Sequence, residues 1–150
     1  FNLSFNYAMQ DQNQQFIWRL HPLLSFQKLK KYSPIFKKIP SNIYLSEDDL
    51  DSDIKKCNSV LYRGSTAVIN AINAGLKPIY YQQSTDELGV DPIYLCKKGK
   101  FIVKNQNELK VAFSKDIDNV SRLSLQNFAQ KFYSPINIDA LLKEMDIRPI

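Results

Sequence analysis

The chain has 150 residues, of which 44% are hydrophobic and 23% charged, with a net charge of +5. That length and balance fit one domain of common size, with a core large enough to stand without disulfide or metal staples. No apolar run approaches the ~20 residues that a bilayer-spanning helix needs, and the opening Phe1-Asn2-Leu3-Ser4-Phe5-Asn6-Tyr7 lacks the charged and apolar regions of a secretory signal. The pI of about 9.1 suits phosphate-bearing ligands, nucleic acid or an anionic membrane surface and selects none of them.

The elements follow in chain order. Residues 1–15 are polar and proline-free, and Phe1, Phe5, Ala8 and Met9 can share one helical face. Residues 16–20 (Phe-Ile-Trp-Arg-Leu) read as a buried strand closed by His21-Pro22. A helix is expected over 24–32, and Ser33-Pro34 restarts a short one. Its lysines, Lys28, Lys30 and Lys31, continue in Lys37 and Lys38 and read first as a solvated helix face. After the turn Pro40-Ser41-Asn42 comes a brief strand over 42–45. Ser46-Glu47-Asp48-Asp49 has the form of a capping box opening a helix to about residue 56.

A second cycle repeats the pattern. Residues 59–62 are a short strand, Gly64-Ser65-Thr66 a turn, 67–74 an apolar helix ended by Gly75, and 77–81 a strand. Residues 82–92 read as loop, 93–95 and 101–104 as strands around Lys98-Gly99. Asn105 caps a helix over 106–114, and two further helices are expected over 120–133 and 138–145, parted by Ser134-Pro135. All four glycines, Gly64, Gly75, Gly89 and Gly99, fall between elements. Alternating strands and helices predict an α/β fold: an open parallel sheet of Rossmann-like type with helices on both faces. Cys57 and Cys96 stand apart, outside any metal-binding spacing, and read as free thiols.

In open α/β sheets ligands bind beyond the carboxyl ends of the strands. Three segments are expected there. His21 is the single histidine, held at a strand end by Pro22, and can donate to a phosphate. Arg63-Gly64-Ser65-Thr66 stops a strand and opens a helix, so its hydroxyls and the first N–H groups of the helix can receive an anion. The acidic run Glu47, Asp48, Asp49, Asp51 and Asp53 lacks the glycine and terminal glutamate of a calcium loop. It is explained by the helix dipole and an Asp51–Lys55 pairing. No nucleophile elbow, P-loop or basic-aromatic nucleic-acid face is present, and neither a metal nor a cofactor is expected.

The series Arg19-Leu20-His21-Pro22 at a strand end, a capped acidic helix, then strand–Arg63-Gly64-Ser65-Thr66–helix–Gly75-Leu76-Lys77-Pro78-Ile79-Tyr80 resembles the C-terminal domain of GT-B type glycosyltransferases. The nearest flavour is the bacterial surface-polysaccharide group: capsule and lipopolysaccharide transferases, CDP-glycerol glycerophosphotransferases and polysialyltransferase-like enzymes. The resemblance spans roughly residues 16–114. It implies that residues 1–150 form the donor-binding half of such an enzyme, working with an N-terminal acceptor domain outside this chain.

The resemblance further implies a role for each matched residue. His21 would contact the donor phosphate as the catalytic residue, and Arg63, Gly64, Ser65 and Thr66 would hold the same phosphate. Tyr44, Ser46 and Asn70 would lie near the nucleotide. Asn70 departs from the family, many of whose members carry a ribose-binding glutamate there. The implied partners are a CMP-, CDP- or UDP-linked donor and a polysaccharide or lipid-linked acceptor, in the cytoplasm or at the inner face of the membrane with peripheral contact to it, and no nucleic acid. The alternatives are glycerophosphate transfer from CDP-glycerol and a non-catalytic nucleotide-binding or interaction module.

Overall fold

The first helix, α1 (Asn2–Gln10), is amphipathic on two sides. Leu3, Ser4, Tyr7 and Ala8 are buried, whereas Met9, expected inside, faces solvent. Leu3 and Tyr7 enter one core cluster and Ala8 another, so the helix sits in a corner between two packing layers. It stops at Gln10, well short of residue 15. The structure, a computed structural model, describes residues 1–83 and 91–133.

Strand β1 (Phe16–Trp18) pairs in parallel with β2 (Ile43–Leu45), Phe16 opposite Ile43. Between them run α2 (Phe26–Tyr32) and a 3-10 turn over Pro34–Phe36. Their inner side joins Trp18, Phe36 and Ile43 in an aromatic-rich cluster. The Trp18 ring meets Phe1 and Phe36 edge-on, with centroids 4.9 and 5.5 Å apart. Such contacts add to simple area burial. Trp18 Nε1 donates to Ser4 Oγ at 2.9 Å, which satisfies the polar end of the ring.

Helix α3 (Leu50–Lys55) is capped by Asp49, whose side chain accepts from the Ser52 N–H at 2.9 Å. The expected cap, Ser46, is too far upstream because the turn into the helix is longer, and its hydroxyl donates instead to Asp53. Strands β3 (Ser59–Tyr62), β4 (Lys77–Tyr81) and β5 (Phe101–Val103) form a second parallel sheet in the order β3-β4-β5. Helix α4 (Ala67–Asn73) connects β3 to β4. Gly64 and Gly75, at its two ends, have φ of 71° and 88°, a region that L side chains avoid. Expected strand 93–95 is instead a run of turns. Asp91 Oδ1 accepts from Ile93 N, and the carbonyls of Asp91 and Ile93 accept from Tyr94 N and Cys96 N, so these groups bond locally and leave no ladder to join.

Helix α5 (Gln106–Ser114) starts at Asn105, which accepts from the Glu108 N–H, while Glu108 reaches back to the Lys104 N–H. Helix α6 (Asn119–Gln130) packs along α4 and continues into a 3-10 turn over Lys131–Tyr133. Arg122 and Gln126 of α6 donate to the carbonyls of Gly75 and Asn73, closing the C-terminal end of α4. Helix α6 is part of this domain's own core through Leu125 and Ala129. Gly89, Ser134-Pro135 and the helix expected over 138–145 lie outside the described residues.

Alternate residues of the three-stranded sheet point to opposite layers. Tyr62 and Tyr80 enter a cluster with α4 and α6, and Ile79 and Val103 enter one with α1 and α5. Helices therefore cover both faces, as a parallel sheet requires. The one open sheet expected from the sequence is divided, two strands and three. Phe16 of β1 and Leu61 of β3 pack against the same cluster, so the two sheets meet through side chains rather than ladder hydrogen bonds. Among the described residues no helix is long and apolar enough to cross a membrane.

Asn42 sets the junction. Its Nδ2 donates to the carbonyls of Ala8, Asp11 and Gln14 at 2.9 to 3.1 Å, and its own carbonyl accepts from Phe16 N at 2.9 Å. Asn42→Ala is expected to cost ~1–3 kcal/mol by removing the donor these carbonyls share, although the Ala8 carbonyl keeps Gln12 Nε2 and the Asp11 carbonyl keeps the Gln14 N–H. Asn42→Asp is expected to cost more, because an ionised carboxylate only accepts and would face three acceptors. Urea unfolding of the two variants checks the order, and an Asp variant as stable as the Ala variant contradicts it.

Candidate functional site

The carboxyl ends of β1, β2 and β3 each carry a segment expected to bind. Past β1 the chain turns at His21, whose Nδ1 accepts from the Leu23 N–H at 3.2 Å and whose carbonyl accepts from the Leu24 N–H. An accepting Nδ1 places the ring proton on Nε2 in the neutral tautomer. The ring is exposed, so that N–H is available to a ligand.

Arg19, two residues earlier, is held elsewhere. Its Nη1 donates to Asp53 Oδ2 at 2.8 Å and to the Asp48 carbonyl. Ser46 Oγ donates to the other Asp53 oxygen at 2.6 Å and accepts from the Asp48 N–H. Both oxygens of this buried carboxylate are thus occupied, and β1, β2 and α3 are locked at one corner. The acidic run has structural duties: Asp49 caps α3, Asp53 takes Arg19, and Asp48 pairs with Lys56 at 2.6 Å where Asp51–Lys55 was expected. Among the described residues no group of three His, Cys, Asp or Glu gathers for a metal.

Of the residues expected near the nucleotide, Ser46 belongs to this corner network. Tyr44 is exposed in the middle of β2. Asn70 sits within α4, and its Oδ1 accepts from the Tyr133 hydroxyl. It therefore faces the segment following α6 rather than an open cleft.

Past β3 the chain runs through Arg63, Gly64, Ser65 and Thr66, all exposed. Thr66 is the N-cap of α4 and makes no side-chain cap bond. Among the described residues neither the Ser65 nor the Thr66 hydroxyl has a partner, whereas Arg63 has one. His21 makes no hydrogen bond to this turn. The fold brings both to carboxyl strand ends, where His21 Nε2 and the Ser65 and Thr66 hydroxyls have no partner among the described residues.

One network under this turn had no signal in the sequence. Tyr62, the last residue of β3, donates its hydroxyl to Asp91 Oδ1 at 2.9 Å. Lys100 donates to Asp91 Oδ2 and to the Ile93 carbonyl at 3.1 Å. The Asp91 and Lys100 side chains are both more than nine-tenths buried. They lie in segments that read as loop, and nothing local marks one as the other's partner. The network pins the end of β3 from which the open turn projects.

A cleft of about 390 Å3 opens at the opposite edge, where β3 and β4 begin, beside Asn58, Lys77, Asp116 and Arg122. Two of its cations, Lys77 and Arg122, have internal partners. Lys77 Nζ donates to the carbonyls of Ala112, Phe113 and Lys115 at the end of α5, and Arg122 bonds Gly75 and Asp116. The cleft is built from helix-end capping, and size alone does not make it a binding site.

Burial, then the bond to Asp91, pushes the Tyr62 phenol well above its ordinary pKa. A raised phenol pKa contributes stability that is complete below about pH 10 and declines as pH rises further, by ~1.4 kcal/mol per unit for this one group. Tyr62→Phe is expected to lower stability at neutral pH by ~1–3 kcal/mol and to flatten the decline above pH 10. Urea unfolding from pH 8 to 11 measures both; equal alkaline slopes in the two proteins contradict the assignment.

Compared with known proteins, the chain matches no family model, no curated protein and no solved structure.

Proposed function

We propose that this chain is the donor-nucleotide-binding part of a GT-B type sugar transferase that builds bacterial surface polysaccharide. The observation that carries the reading is the Gly64-Ser65-Thr66 turn: it follows a parallel strand, opens a helix, and presents two hydroxyls without partners among the described residues. The topology supports it. From β1 the chain winds to β2, and from β3 it winds through β4 to β5, always in parallel, and α/β sheets take their ligands beyond the carboxyl ends of such strands. His21 follows β1 and the turn follows β3.

A helix dipole contributes only ~0.3–1 kcal/mol to holding an anion, and a millimolar ligand already needs about 4 kcal/mol. In this reading His21 Nε2, the two hydroxyls and Arg63 supply the remainder. Charge grows on the departing phosphate as the sugar leaves, and fixed donors aimed at it lower the barrier. The acceptor and catalytic base come from the partner domain. A second reading, a nucleotide-binding module without turnover, is favoured by Asn70, which supplies no carboxylate for a ribose.

Thermal unfolding with CMP, CDP, UDP, GDP and ADP tests the proposal. A cytidine or uridine nucleotide at ~100 times its Kd is expected to add about 2.7 kcal/mol. Ser65→Ala and His21→Ala are expected to abolish that gain while changing the unliganded protein by less than ~0.5 kcal/mol, since both side chains are exposed. No gain with any nucleotide, or a gain unaffected by either substitution, overturns the donor-site assignment.

A further inference from the structure

The charge of this chain is unevenly distributed. Between Asp11 and Glu47 there are six cationic side chains and no anionic one. The whole chain carries +5, so the remainder is close to neutral. Arg19 is held by Asp53, which leaves Lys28, Lys30, Lys31, Lys37 and Lys38. Among the described residues no carboxylate pairs with any of these five. Lys28, Lys31, Lys37 and Lys38 are exposed, and Lys30 lies over the Phe26 ring at 4.6 Å.

Apolar side chains stand among them. Helix α2 turns Phe26 and Leu29 inward against Trp18 and Phe36. Its outer side is Gln27, Lys28, Lys31 and Tyr32, the i, i+1, i+4, i+5 set of one helical face. Tyr32 is 84% exposed, and in the turn leading into the helix Leu23 is 85% and Leu24 49% exposed. A single exposed leucine is ordinary. Two in succession, with a tyrosine and four exposed lysines over 16 residues, set exposed apolar and cationic side chains close together along the chain.

That pairing of chemistries discriminates between partners. Single-stranded nucleic acid is held by cations with planar groups on which bases stack, and leucines serve neither purpose. An acidic protein would meet the lysines but would cover the leucines only if it set apolar side chains among its carboxylates. The interface of an anionic bilayer takes both: leucine and tyrosine enter the boundary of head groups and acyl chains, and lysine stems lie along it with their ammonium groups at the phosphates.

We propose that the outer surface of residues 21–38 docks on an anionic phospholipid bilayer, with Leu23, Leu24 and Tyr32 entering the interface and Lys28, Lys31, Lys37 and Lys38 against the head-group phosphates. The proposal does not rest on the donor-site reading, because vesicle binding is measured without nucleotide. Its failure leaves the nucleotide experiment untouched, and the reverse holds. If both stand, the turn that carries His21 would hold the donor phosphate beside the lipid surface.

The test is flotation of the full chain with vesicles of phosphatidylcholine alone and of phosphatidylcholine mixed with phosphatidylglycerol, at low and high salt. Binding is expected only to the mixed vesicles and should weaken with salt. Lys28→Ala with Lys31→Ala is expected to reduce partitioning about 25-fold, and Leu23→Ser with Leu24→Ser by ~10-fold or more. Unfolding midpoints of these surface variants verify that the fold is kept. Tyr32→Trp supplies a second readout, with a blue shift of its emission on adding mixed vesicles. Failure to bind mixed vesicles, equal binding to pure phosphatidylcholine, unchanged partitioning of both double variants, or no blue shift overturns the proposal. So does binding of a single-stranded RNA homopolymer that depends on the lysines, is indifferent to the leucines, and displaces the vesicles.

Discussion

One side-chain amide ties the first sheet to the helix that packs on the second. Asn42 stands before β2, inside the angle formed by α1 and β1, and donates to three carbonyls along the chain between them. Its backbone carbonyl takes the first N–H of β1. A two-stranded parallel sheet has little stability of its own. This one persists because α1 is tied to it by Asn42 and, through Leu3 and Tyr7, packs in the core of the other sheet. An amide fits here because its NH2 can serve several acceptors; its Oδ1 stays buried without a partner.

Charged side chains do a similar job at the strand ends, and burial decides how much each matters. Lys56–Asp48 is open to solvent on both sides, where ion pairs contribute little. Asp91–Lys100 is removed from water on both sides, so loss of either partner would strand a charge at a cost of ~3–5 kcal/mol. Arg19–Asp53 lies between, the carboxylate buried and the guanidinium partly wet. The corner at β1, β2 and α3 and the end of β3 are therefore rigid. The polar groups that remain open, on His21, Ser65 and Thr66, project from supports that do not yield.

Local chemistry was legible where it was self-contained. The bounds of β3, β4 and α5 could be read from short apolar runs, a glycine beyond each end of α4, and an asparagine cap. The turn at Gly64 and the strand-end position of His21 were legible for the same reason. The reading failed where the deciding partner lay far along the chain. Residues 93–95 look like a strand until the Asp91 carboxylate takes the Ile93 N–H. Ser46 looks like a helix cap until Asp53 claims its hydroxyl. The candidate site was thus legible in its open residues and illegible in the networks beneath them.

The sequence by itself determined an alternation of strands and helices with glycines at the turns, and hence parallel strands covered on both faces. It also carried the segregation of charge into residues 12–46, visible in composition alone. Only the tertiary structure decided that the strands divide into two sheets, that Lys77, Arg19 and Lys100 are committed to internal partners, and that Leu23 and Tyr32 stand in solvent near lysines that no carboxylate of the described residues pairs. The reason is physical. Propensity and capping act over a few residues, whereas burial and ion pairing depend on which distant segments the folded chain brings together.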